Sequence, residues 1–164
     1  MNRQRGVYVV EFAVIGVLLF TLLFGVLEMG RLFFTVNALN ETVRRGARLA
    51  AVCDISEPRI LRRAIYNAAD DAGASSLIAN LDTADLSLDY LDENGALVAS
   101  PGDTSGTGGF RAIRYVRLRV QNFTFTLLIP GFGTITLPMF QSILPRESLG
   151  RHPEAGVIPG ITPC

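Results

Sequence analysis

The chain has 164 residues, enough for one ordinary domain and an appendage, and its formal net charge is zero. That balance gives no basic field for nucleic acid, and because arginine supplies all 15 positive side chains, Schiff-base and phosphate-loop lysine chemistry is excluded. The one histidine, His152, lies in the tail stretch RHPEAGVIPG, and the sequence has no zinc-type Cys/His spacing and no GxSxG elbow. The expectation is a protein that is not an enzyme, with no catalytic residues, no metal and no cofactor.

Residues 7–27 are apolar apart from Glu11. As a helix they reach about 31 Å, the hydrocarbon thickness of a bilayer. A cleaved secretory signal has a shorter apolar core and a small-residue cleavage site, so a retained transmembrane helix is expected. Arg3 and Arg5 before the span favour a cytoplasmic amino end, whereas Arg31, Arg44 and Arg45 after it weigh the other way. The short amino-terminal tail and the two cysteines favour a body outside the cytoplasm.

The helical pattern continues past the span. Met29, Leu32, Phe33, Val36, Leu39, Val43, Ala47 and Ala50 recur at helical spacing, with Arg31, Asn37, Glu41, Arg44, Arg45 and Arg48 opposite. Glu41 precedes Arg44 and Arg45 at supporting distances. The arginine cluster reads as a solvated helix face rather than a headgroup or nucleic-acid patch. No proline interrupts before Pro58, so one helix of about 70 Å is expected to about Cys53. Gly16, Gly25, Gly30 and Gly46 allow close helix approach.

Ser56, Glu57 and Pro58 read as the start of a second helix, with Leu61, Ala64, Ile65, Ala68 and Ala72 as its small-residue stripe and Gly73 near its stop. Arg59, Arg62 and Arg63 early and Asp70 and Asp71 late would oppose the dipole of such a helix. From Leu86 the period changes toward two, and Asn94-Gly95 signals a hairpin returning over residues 96–99. SPGDTSGTGG is a loop without the ending of a phosphate cradle. Asp82, Asp85, Asp89, Asp92 and Glu93 do not have the spacing of a calcium-binding EF-hand loop and read as turn residues.

Ala112, Arg114, Val116, Leu118 and Val120 share one face of a further strand, with Ile113, Tyr115, Arg117 and Arg119 on the outer face, and it continues or bends into residues 123–127. A short final strand is expected over residues 134–137, and an irregular tail from Pro145. Cys53 and Cys164 can form one bridge in an oxidising compartment or remain a buried thiol and a terminal thiol, and spacing leaves both open.

Glu11 is the discordant residue. An acidic side chain costs about 3 kcal/mol at the centre of a membrane helix and less near its ends. It is either a tolerated carboxylate that snorkels to the interface or a functional group. Cleavage after Gly6 would create a positive amine at Val7, one helical turn from Glu11. In a packed array, the carboxylate of one subunit would pair with the amine of a neighbour.

Arg5-Gly6, four residues, then Glu11-Phe12 at the head of a long apolar helix resembles the class III signal of type IV pilin-like proteins. With Phe24-Gly25, Glu28, Gly30-Arg31 and Arg44-Arg45-Gly46-Ala47-Arg48, residues 5–52 resemble the TadE-like family of minor pseudopilins of the tight-adherence (Flp) pilus system. The likeness is looser over VRLRVQNFTFTLLIPGFGTITLP, residues 116–138. Phe12 departs from the tyrosine more usual in the major Flp pilin, and the length also favours a minor component. The expected fold is α+β and type IV pilin-like: a long amino-terminal helix, a short second helix and a small antiparallel head.

The resemblance implies a leader (residues 1–6), a transmembrane helix (7–27), its amphipathic continuation (28–53), a periplasmic head (54–144) and a tail (145–164). It implies recognition by a prepilin peptidase at Arg5, Gly6 and Val7, assembly register at Glu11 and Phe12, and helix packing at Gly25, Glu28, Arg31 and Gly46. Implied partners are other pilins or pseudopilins through the N-terminal helix, the prepilin peptidase, the inner-membrane assembly platform and the lipid bilayer, with no nucleic acid. The place implied is a bacterial inner membrane, with incorporation into an extracellular pilus. The competing expectation is an unprocessed single-pass anchor carrying a periplasmic binding or scaffold module.

Overall fold

The computed structural model describes residues 4–55, 57–104, 107–129, 131, 133–151, 161 and 164, with side chains from Val7 onward. One helix, α1 (Gln4–Val52), runs from the amino-terminal segment into the head, about 73 Å without a break. No proline interrupts it, and valine and leucine are its most frequent residues. From Val7 to Leu27 almost every side chain is exposed, and 18 consecutive residues of this helix reach a mean hydropathy of 2.5 with none of that window buried. Its second half packs against α2 (Arg59–Ala64), β2 (Tyr115–Val120) and β5 (Phe140–Pro145).

The head is a three-stranded antiparallel sheet in the order β1 (Leu86–Leu91), β2, β5, beside a separate hairpin of β3 (Thr124–Thr126) and β4 (Thr134–Thr136). Leu118 pairs with Leu88 on one side and Ser142 on the other. The alternation of β2 sends Val116, Leu118 and Val120 into the core while Arg117 and Arg119 stay half-buried on the other face. One cluster joins Leu39, Val43 and Ala47 to Ala64, Ile65, Leu81, Leu118, Phe123, Phe125 and Phe140. A second, nearer the end of α1, joins Ala50 and Cys53 to Ile60, Tyr90, Ile113, Val116 and Leu149.

Several sequence expectations need correction. The second helix ends at Ala64 rather than near Gly73. Tyr66 takes φ 69°, and the buried Asn67 amide donates to the Gly73 and Ala74 carbonyls while its oxygen accepts from the Ser76 N–H. An asparagine that serves the backbone this way replaces a further helical turn, which the alanines alone would pack weakly. Asp70 and Asp71 therefore lie outside the helix, and Arg62 and Arg63 occupy its last turn, where the dipole favours them. Ser56, the expected cap, lies outside the described residues, as does His152.

Residues 96–99 form only a bridge, Leu91 to Leu97, at the open edge of β1, whose full partner is β2 on its other side. The following strand starts at Tyr115, since Phe110–Ala112 is a 3-10 turn; Ile113, expected on the outer face, is fully buried. Asn122 at φ 60° separates β2 from β3, so of the two expected courses the chain bends into residues 123–127 rather than continuing straight. β4 is not the last strand. β5 follows it, a strand the sequence reading did not include.

Beyond β5 the chain returns to α1. The N–H groups of Glu147 and Leu149 donate to the Ala51 carbonyl, at 3.1 and 3.2 Å, and that of Gly150 to the Val52 carbonyl at 2.6 Å. These bonds satisfy carbonyls left unpaired at a helix end. Gly150, at φ 74°, comes so close that a β-carbon would lie 2.7 Å from the Asp54 nitrogen.

Candidate functional site

The sequence-derived site residues fall into three places along α1. Arg5 and Gly6 lie in its first turns, and their side chains are outside the described set. Val7 is 55% exposed and Phe12 79%, with Glu11 also exposed between them. Val7 and Glu11 are separated by one helical turn, so they sit on the same face. Among the described residues, none of the head covers this region. It is a bare apolar rod bearing one carboxylate.

The second place is the junction of rod and head. Glu28 is 6% exposed, and Arg31 donates from one guanidinium nitrogen to both of its carboxylate oxygens at 2.8 Å. The same carboxylate accepts from the Leu128 backbone N–H at 3.3 Å, and the Arg31 guanidinium lies 5.0 Å from the centre of the Phe125 ring. Arg31 was expected on the solvated face, yet it is half-buried here. Glu28 and Arg31 therefore fasten the helix to its own β3–β4 hairpin. Phe125 and Leu128 were missed by the sequence reading, because a hundred residues separate them from the helix they touch; the signal was the uncharged run TFTLLIPGFGTIT.

The third place is within the head. A β-carbon on Gly46 would lie 2.8 Å from that of Ala64 and closer still to the Leu118 side chain, so this glycine seats α2 and β2 on α1. Its close approach is to the chain's own head, whereas Gly16, Gly25 and Gly30 have nothing within 4 Å. Met29 and Phe33, expected on the packed stripe, are 52% and 60% exposed, while Leu39, Val43, Ala47 and Ala50 are buried as the periodicity requires. Cys53 and Cys164 are joined in a disulfide with α-carbons 5.5 Å apart, closing the head from the end of α1 to the end of the sequence.

Electrostatics in the head are structural. Asp89 pairs with Arg117 at 2.9 Å and Arg119 at 2.8 Å, while Asp82 and Asp85 cap a 3-10 turn reciprocally. Asp92 accepts from the backbone of Asn94 and Ala96. Arg45 lies over the Tyr66 ring at 5.4 Å, and burial, with Glu41 adding, raises the Tyr66 pKa. No group of acidic, histidine or cysteine side chains among the described residues has the geometry to hold a metal ion.

Residues 6–48 match the family model described as TadE-like protein, in agreement with the resemblance read from the sequence. The match falls entirely within α1 and stops short of α2 and the sheet. No curated protein and no solved structure matches the chain.

Proposed function

We propose that this chain is a minor pseudopilin, a structural subunit for assembly of a tight-adherence (Flp) type IV pilus. The observation that supports the reading is the coincidence of the TadE-like match with one unbroken helix, bare over its first half and clamped to a head over its second. The bilayer stores the subunit through residues 7–27. A prepilin peptidase recognises Arg5 and Gly6 and cuts between Gly6 and Val7. The new amine then meets the Glu11 carboxylate of a neighbouring pilin or pseudopilin in low dielectric, and that contact, with Phe12 beside it, sets axial register as the helices leave the membrane together. The head sits on the periplasmic side of a bacterial inner membrane, against the assembly platform, and the chain contributes geometry rather than catalysis.

Intact mass of the membrane-extracted protein, with and without the peptidase, tests the processing. Loss of residues 1–6 only when the peptidase is present is expected, and a chain that keeps them in its native host removes the cleavage step. Glu11→Ala is expected to insert normally and to reduce pilus assembly. Full assembly by that variant would reject the register role and favour a simple anchor.

A further inference from the structure

Leu128 and Ile129, between β3 and β4, are not where water-facing residues belong. A groove of about 630 Å³ runs between them and α1, lined by Thr21, Phe24, Leu27, Leu128 and Ile129 and closed at its upper end by Glu28 and Arg31. Leu128 is 69% exposed, and across the groove Phe24 and Leu27 are 57% and 64% exposed. The helix positions locate this surface. With residues 7–27 spanning the bilayer, Thr21, Phe24 and Leu27 occupy roughly the last 9 Å of hydrocarbon on the head side. Leu128 and Ile129 face them at the same height.

We infer that Leu128 and Ile129, between β3 and β4, form a second membrane-inserted element, which sits in the head-side leaflet and holds a lipid acyl chain against Thr21, Phe24 and Leu27. Two observations favour lipid over another occupant. The groove wall continues the exposed apolar surface of the span, so the medium that solvates Phe20 and Leu23 also reaches Leu128. An irregular segment at hydrocarbon depth needs its polar groups satisfied, and the two N–H groups that enter the turn already are. The Leu128 N–H donates to the buried Glu28 carboxylate, and the Leu127 N–H donates to the Gly133 carbonyl at 3.0 Å. Arg31 balances the charge of Glu28 at the groove's upper end. This inference depends on the membrane span and not on the pilus reading: a retained leader would end the cleavage step and leave the inserted element untouched.

The chain has no tryptophan, so a single introduced one reports from its own site. The test uses full-length Leu128→Trp in vesicles of phosphatidylcholine and phosphatidylglycerol, with and without brominated acyl chains. Leu97→Trp, at an exposed position in the head, is the comparison. Leu128→Trp is expected to emit at blue-shifted wavelength and lose most of its intensity to brominated chains, while Leu97→Trp does neither. Water-like emission from both, unaffected by bromine, would overturn the inference. So would a blue shift at Leu128→Trp that resists brominated lipid and grows with the protein-to-lipid ratio, because another chain would then fill the groove.

Discussion

Replacing Gly46 by alanine sets two effects of similar size against each other. Inside a helix the added methyl gains about 1 kcal/mol of intrinsic propensity. Against that, the new β-carbon would lie 2.8 Å from the Ala64 β-carbon and nearer still to Leu118. Both neighbours are completely buried, and the Ala64 β-carbon moves only with its backbone. Overpacking of this kind costs about 1–3 kcal/mol. With contacts this short the cost falls in the upper part of that range, so the clash prevails and a net loss of up to about 2 kcal/mol is expected. Gly30→Ala meets nothing within 4 Å and should keep or raise stability. Denaturant unfolding of the full chain in detergent micelles, followed by tyrosine emission, reads both, since Tyr66, Tyr90 and Tyr115 lie in the head. The midpoint for Gly46→Ala should fall with an unchanged slope. In a Gly46→Ala/Leu118→Ala double variant the loss should be smaller than the sum of the two single losses, because the new methyl then occupies space the leucine has vacated. An unaltered or higher midpoint for Gly46→Ala, with assembly lost, would refute this reasoning and return Gly46 to an interface between subunits.

Two further outcomes are expected. Replacing Cys53 and Cys164 together by alanine opens a loop with a sequence separation of 111. Chain-entropy reasoning puts the loss at about 4–5 kcal/mol, read as a lower denaturant midpoint that no longer responds to reductant. For Tyr90, burial raises the hydroxyl pKa and Asp54 adds to the rise, and the hydroxyl has no hydrogen-bond partner among the described residues. The folded pKa lies above the unfolded value of about 10, so the stability tied to the neutral phenol is complete below that pH and declines as pH rises beyond it. Tyr90→Phe should flatten the alkaline limb of stability against pH, leaving a remainder from Tyr66, and gain up to about 1 kcal/mol near neutrality. A steeper alkaline limb in the variant would contradict this.

Legibility followed the range of the interactions. α1 could be read almost to its last residue, because a helix is specified locally and its buried positions repeat every few residues. β5 could not. Its inward positions are Phe140, Ser142 and Leu144 and its outward ones Gln141, Ile143 and Pro145, so a polar residue faces in and an apolar one faces out. Asp89 read as a turn carboxylate because Arg117, its cross-strand partner, comes 28 residues later. Glu28 and Gly46 could be singled out as residues, but not the surfaces they serve. Sequence spacing shows that a helix face is special without saying which distant segment covers it.

The unbroken helix also transmits angle as well as length. Seventeen residues of α1 separate Glu11 from Glu28, which at 3.6 residues per turn puts Glu11 about 100° around the axis from the face that the head covers. With no hinge between them, the head and the carboxylate behave as keyed parts on one shaft. A neighbour seated against Glu11, as proposed, would thereby meet one fixed flank of the head, so azimuth as well as height would be encoded in this one chain.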